Sequence, residues 1–261
     1  MEKNKLAVCV VGDFLYLYKY FARFKKSLQE RGKYSGEILI LTSILSPTFL
    51  LRSIRNDEKV KVIRFKRIKF SKKTDYSLRN LNTLGQPNRH INKRFQWHKI
   101  NLFDKKMKKW KYIFYIDINM YFHDDINSIL EIHPVNNLFA RADDYPDYKR
   151  KLSSQFDSTK DKFSILKEKF DLEINDYFQT GVLYFDTEII EEETKNEIIS
   201  IVDRFPISLT NEQGIMNLYF IFIKNQYKEL TKEIGDAITY YYWLIPGKKI
   251  IITKQLKEKY K

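Results

Sequence analysis

One carboxylate stands where a carboxylate is costly. The segment Tyr112-Ile-Phe-Tyr-Ile-Asp117-Ile-Asn119 carries an apolar run directly into Asp117, with Asn119 two positions on. At the carboxyl end of a parallel strand such a side chain faces the crevice where open α/β sheets bind ligands. In extended backbone Asp117 and Asn119 point to the same side. Two oxygen-bearing side chains there can hold a hard divalent cation. The cation would clamp a diphosphate and stabilise the charge that develops as it leaves. The plainer alternative is that both residues close a turn. His123, Asp124 and Asp125 follow closely, and the two aspartates read as a solvated turn.

The elements that would present Asp117 are legible on both sides of it. Leu6 to Val11 is a short apolar run ended by Gly12-Asp13, the pattern of a strand buried on both faces. Leu17, Phe21, Phe24 and Leu28 then recur at helical spacing, with Gly32 as the stop. Ile38 to Leu41, Val60 to Phe65, Tyr112 to Ile116, Leu138 to Ala142 and Gly181 to Phe185 read as further strands. Trp97, Ile100 and Phe103 predict a short helix, as do Phe163, Leu166 and Phe170. Thr187 is expected to cap the helix after the last of these strands, and Asn211 the helix through Ile215, Leu218 and Phe222. Strand, helix and strand in that order open an α/β fold with a mixed, mainly parallel sheet flanked by helices. Residues 71–94 show little periodicity and many basic side chains, the pattern of a functional loop that could cover a pocket.

No repeat, linker or low-complexity stretch divides the 261 residues, so a single domain over 1–261 is expected, with a basic tail at 248–261. The single Cys9 leaves no disulfide framework and no multi-cysteine metal site, which favours a reducing, cytoplasmic setting. No run is long and apolar enough to span a membrane. The formal net charge of +14 asks for an anionic partner. Nucleic acid is the weaker choice, because basic residues interleaved with Tyr76, Phe95 and Trp97 carry no helix-turn-helix, zinc-finger or RNP signature. An unpartnered apolar helix face would give a homodimer.

Taken in order, these segments resemble the GT-A glycosyltransferases, and most closely their glycogenin-like family 8. Asp117-Ile-Asn119 resembles the D-x-D metal motif, and Lys99 the lysine on the helix before that strand. Phe139-Ala-Arg-Ala-Asp143-Asp144 is similar to the strand whose trailing acid touches the donor sugar. Asp176-Tyr-Phe-Gln-Thr-Gly181-Val182 is similar to D-x-F-N-S-G-V, and Asn211-Glu212-Gln213-Gly214-Ile-Met-Asn217 to D-Q-G-x-x-N.

The resemblance implies a GT-A-like (Rossmann-like) fold and transfer of a hexose-type sugar from a nucleotide-diphosphate sugar, usually a UDP-sugar. The transfer would go to a glycan or protein hydroxyl acceptor with retention. It implies Mn²⁺ or Mg²⁺ on Asp117 and Asn119. It places Val11, Gly12, Asp13 and Tyr16 or Tyr18 by the nucleotide, and Lys99 by the negative donor. Asp143 or Asp144, Gln179, Thr180, Gly181, Glu212 and Gln213 would lie around the sugar. The sequence departs from the family at Asn119, which replaces an acid, at Gln179-Thr180, and at Glu212. It also lacks the C-terminal H-x-x-G-x-x-K-P-W, whose charge Lys248 or Lys249 would have to replace. A protein of the same fold that binds nucleotide sugar without turnover is the alternative.

Overall fold

The structure, a computed structural model, describes residues 4–81 and 89–254. In chain order its strands are β1 (Asn4–Val11), β2 (Glu37–Ser43), β3 (Val60–Phe65), β4 (Trp110–Ile116), β5 (Tyr121–Phe122), β6 (Leu138–Ala142), β7 (Phe178–Asp186), β8 (Tyr227–Glu229), β9 (Glu233–Ile234), β10 (Ala237–Tyr240) and β11 (Lys249–Thr253). The main sheet has the order β3-β2-β1-β4-β7-β6-β8. Its first four strands are parallel, and β7 runs antiparallel to both neighbours. This is the mixed, mainly parallel α/β sheet expected from the sequence.

Ala7, Val8, Cys9 and Val10 are all fully buried, which is why β1 reads as a continuous apolar run rather than an alternating one. One face of the sheet is covered by a helical run of three segments, Phe14–Tyr16, a π-helical Leu17–Phe21, and Ala22–Glu30. Leu17, Phe21, Phe24 and Leu28 form its buried stripe. Burial of such side chains is worth about 2 kcal/mol each relative to exposure. The run closes with the Gly32 N–H donating to Ser27 O at 3.0 Å, and glycine is required there because a Cβ would lie 2.7 Å from the carbonyl oxygen of Leu28.

Several sequence expectations change here. The stretch 71–94 is not wholly irregular: Lys72–Arg79 is a helix, capped by Ser71 Oγ accepting from Thr74 N–H, with Thr74 and Leu78 buried. A second short helix spans Arg89–Asn92. The rest of that basic stretch, 82–88, lies outside the described residues. The segment with Trp97, Ile100 and Phe103 is a 3₁₀ run, Arg94–Phe103. Thr187 caps nothing; its hydroxyl donates to Trp110 O at 2.6 Å, and the following helix starts at Thr194. Asn211 precedes the helix Glu212–Asn217, but its side chain makes no cap and donates to Gln96 Oε1 at 2.8 Å.

The largest correction concerns 248–261. Instead of a solvated basic tail throughout, Lys249–Thr253 is strand β11 in a second sheet of order β5-β11-β10-β9. Ile250, Ile251 and Ile252 are buried there. Residues 255–261 of the expected tail lie outside the described residues.

Candidate functional site

Strand β7 brings distant parts of the chain to Asp117. Ile116 pairs with Val182, and the Asp117 N–H donates to Gly181 O at 2.8 Å. Beyond Ile116 the chain does not stay extended. Met120 N–H donates to Asp117 O at 2.9 Å, closing a turn. Asp117 and Asn119 nevertheless line the same cavity of about 330 Å³ at the carboxyl ends of β1 and β4. Turn geometry, not strand alternation, places them there.

Arg89, Lys93, Lys99 and Lys254 also line this cavity, against the carboxylates of Asp13 and Asp117. Val11, Gly12, Tyr16, Phe95 and Tyr242 complete much of the wall. The excess of basic over acidic side chains suits an anionic ligand. Desolvation, then the neighbouring Arg89 and Lys254, hold the Lys93 ammonium below its ordinary pKa. An arriving anion would relieve that repulsion.

Lys99 is the hub. Its Nζ lies 3.0 Å from Asp117 Oδ1 and 3.0 Å from Glu212 Oε1, and donates to Thr180 O and Oγ1 at 3.2 Å. Burial alone would depress its pKa; the carboxylates of Asp117 and Glu212 outweigh that and raise it. Tyr115 donates its hydroxyl to Asp117 Oδ1 at 2.6 Å, and Lys254 Nζ sits 3.6 Å from Asp117 Oδ2. Burial pushes the Asp117 carboxyl upward, but Lys99 and Lys254 more than offset it, and the net shift is downward. Asp117 is therefore ionised and surrounded by donors, with its side chain one fifth exposed.

An inner cavity adjoins this one, lined by Lys99, Asp117, Asp143, Gln179, Thr180, Gly181, Glu212, Gln213 and Lys254 among others. Thr180 Oγ1 donates to Glu212 Oε1 at 2.9 Å, and Tyr240 Oη donates to Gln179 Oε1 at 3.1 Å. Gln213 accepts from Thr180 N–H at 3.3 Å and donates to Gln155 Oε1 at 3.0 Å. Glu212 is almost fully buried, and its Oε2 has no hydrogen-bond partner. An orphaned buried carboxylate oxygen costs free energy unless a ligand group answers it. Burial raises the Asp143 carboxyl, more than Tyr177, Arg150 and Gln213 lower it.

Most residues singled out in the sequence converge here; Tyr18, Asp144, Lys248 and Lys249 do not. Tyr18 is 73% exposed and stacks with Phe14 rather than lining the cavity; Tyr16 is the tyrosine that does. Asp144 accepts from the Arg150 N–H and lines a neighbouring outer cavity, leaving Asp143 as the acid that faces inward. Asp13 lines the cavity, but its Oδ1 is taken by the Tyr16 N–H at 2.8 Å as a helix cap. Lys248 and Lys249 do not supply charge here: both are exposed, and Lys249 pairs with Asp236 at 2.5 Å. Asp124 and Asp125 accept from nearby backbone N–H groups, as a solvated turn would. Arg89 and Lys93 belong to the basic stretch 71–94 expected to cover a pocket, whereas nothing in the sequence marks Lys254, Tyr115 and Tyr242 for the site. Lys254 is one lysine among many near the end of the chain, and only the pairing of β11 with β5 and β10 aims it at Asp117.

The donor set does not fit a resident divalent cation. Asp117 is the single acid of the motif, Asn119 contributes a neutral amide, and no group of three or more His, Cys, Asp or Glu among the described residues could hold a metal ion. An ion on that carboxylate would also be a near neighbour of two ammonium groups. Unit charges about 4 Å apart repel by roughly 4 kcal/mol at an effective dielectric near 20, and a divalent ion doubles that.

No protein-family model and no curated protein matches the sequence. Solved structures do match. The bifunctional glycosyltransferase WbbM in its apo form superposes with a TM-score of 0.57 at 16% identity, over 90% of this chain and 40% of WbbM. The galactosyltransferase LgtC, solved with donor and acceptor sugar analogues, gives 0.57 at 16% identity, over 85% of this chain and 72% of LgtC. The chain thus spans less than half the length of WbbM. The fold is the GT-A fold of these glycosyltransferases, as the motif order led us to expect.

Proposed function

We propose that the protein transfers a hexose-type sugar from a nucleoside-diphosphate sugar, a UDP-sugar by the resemblance of its motifs, to a hydroxyl acceptor with retention. One observation carries the reading: a cavity with more cations than acids at the ends of β1 and β4 adjoins an inner cavity where Arg89, Lys99 and Lys254 meet Asp117, Asp143 and Glu212 beside the amides of Gln179 and Gln213. A diphosphate suits the first and a polyhydroxy sugar the second. Tyr16 offers an aromatic face to the base. The basic side chains hold the diphosphate, while Asp143, Gln179 and Gln213 accept from or donate to sugar hydroxyls and so fix the anomeric carbon between the two. In the reaction the acceptor oxygen bonds to that carbon, the bond from carbon to phosphate oxygen breaks, and the acceptor proton leaves to the departing phosphate or to solvent. Concentrated positive charge on the leaving diphosphate lowers the barrier most, because that is where charge develops.

The test is a panel of nucleotide sugars, with Mn²⁺ and with chelator, read as released nucleoside diphosphate and as the anomeric configuration of the product. Failure of well-folded protein to release nucleotide from any donor overturns transfer. Thermal stabilisation by a nucleoside diphosphate without any release would instead establish the binding-only alternative.

A further inference from the structure

The Asp117 carboxylate shows how the diphosphate is neutralised. Its Oδ1 is occupied from within, by Tyr115 Oη at 2.6 Å and Lys99 Nζ at 3.0 Å. Its Oδ2 is met by Lys254 Nζ at 3.6 Å, beyond an ordinary hydrogen bond but within an ion pair. Both Lys254 and Asp117 are one fifth exposed, and both line the basic cavity and the inner one. Lys254 is not floating. It follows directly on β11, its N–H donates to Tyr242 O at 3.3 Å, and its Nζ donates to Tyr242 Oη at 2.6 Å while lying 4.2 Å from that ring's centroid. A cation is thus held beside the motif's acid and at the edge of the space a diphosphate would fill. Its three N–H donors allow it to contact that acid and a phosphate oxygen together.

We propose that Lys254 takes the place of a divalent cation on the donor's diphosphate, so that the protein binds nucleoside diphosphates without metal. This rests on the donor-site reading above and adds its cation. Asn119 then ceases to be a defect. A second carboxylate would be needed to balance a divalent ion, but not a lysine already balanced by Asp117.

Isothermal titration of the whole chain with UDP, ADP, GDP and CDP, in EDTA and in excess Mn²⁺, tests this. The wild-type protein is expected to bind one of the four in EDTA within about threefold of its affinity in Mn²⁺. Loss of a charge-assisted contact should weaken Lys254→Met roughly 10- to 100-fold in EDTA, whereas Lys254→Arg should stay within about threefold. Thermal melting of both variants confirms folding, and the arginine variant carries the argument if the methionine variant melts early. Tightening of the wild-type complex by Mn²⁺ tenfold or more overturns the proposal and leaves the donor site standing. Wild-type affinity in Lys254→Met also overturns it. If none of the four binds in either condition, the donor-site reading falls with it.

Discussion

Two cavities that share Tyr242 in their walls have linings that differ in kind. On the side of β1 and β4 the wall has Arg89, Lys93, Lys99 and Lys254 against Asp13 and Asp117. On the other side it has Asp143, Asp144 and Asp147 with Arg141 and Arg150, under the rings of Tyr145, Tyr241, Tyr242 and Trp243. There the cations are neutralised within the protein: Arg141 pairs with Glu229 at 2.9 Å, and Arg150 Nε lies 3.9 Å from Asp144. On the first wall Lys99 and Lys254 are paired too, but four cations face two acids, whereas on the second two cations face three acids, beside flat aromatic faces. That contrast is what a reaction between a charged donor and a neutral polyhydroxy acceptor requires of its two halves.

Removing the buried cation of the basic half that pairs with both Asp117 and Glu212 should have the largest effect. Lys99→Met leaves Asp117 and the buried Glu212 without their common partner. Breaking a buried ion pair on one side costs about 3–5 kcal/mol. Urea unfolding at pH 7 should show that loss. The cause can be checked by pH: the variant's carboxyl groups would take up protons more readily, so its deficit should narrow as pH falls toward 5. A deficit independent of pH would mean lost packing rather than stranded charge.

The basic side carries a second electrostatic cost. His98 is buried, and desolvation, then Arg67 and Lys195, push it down to about 4. Above its ordinary value of 6.5 the folded and unfolded chains both hold it neutral, and stability is unaffected. As pH falls from 6.5 to 4 only the unfolded chain takes up the proton. Stability should then drop by an amount on the order of 3 kcal/mol. Below that window both states are protonated and this contribution is spent. His98→Gln should flatten the pH dependence of urea midpoints between pH 6.5 and 4; an unchanged slope would assign it to other groups.

How far the two halves could be read in the sequence follows from how each is built. The basic half hangs on the ends of β1 and β4, parallel strands whose apolar runs announce themselves, and Asp117 is conspicuous because it follows one. The inner residues Gln179, Thr180, Gly181, Glu212 and Gln213 are legible only through motif order, since no local pattern marks them as converging. Lys254 and Tyr242 were missed for a physical reason. β11 is a short strand amid lysines, and its paired residues in β5 and β10 lie 130 and 12 positions away, so its place is fixed by pairing across the chain. The helix Lys72–Arg79 was missed because two buried residues are too few to raise a helical period above its charged surface.

Asp143→Asn separates the halves more gently. Asp143 faces the inner cavity and leaves the basic wall untouched. Loss of a hydrogen bond to a charged group is worth about 1.5–3 kcal/mol, a factor of roughly 10–100. Turnover of the nucleotide sugar should fall by that factor while affinity for the free nucleoside diphosphate stays within about twofold. A parallel loss of nucleotide affinity would show that the two cavities act as one.

The smallest effect falls on the aromatic rim and sharpens the contrast furthest. Trp243 is 53% exposed and tilted 58° from Tyr242, with ring centroids 5.4 Å apart. A ring left exposed at a cavity mouth can cover the apolar face of a sugar while its neighbours' oxygens take the hydroxyls. Covering about 40 Å² of apolar surface is worth ~1 kcal/mol, about fivefold in affinity. Trp243→Ala should therefore raise the acceptor's KM about fivefold and leave donor affinity and donor hydrolysis as they were. Because the ring is half exposed, the protein's melting temperature should hardly move. A variant that loses donor affinity instead would place Trp243 on the charged side, through its contact with Tyr242, which lines both cavities. The acceptor would then be held by the carboxylates alone, and the division between a charged half and a flat, neutral half would dissolve.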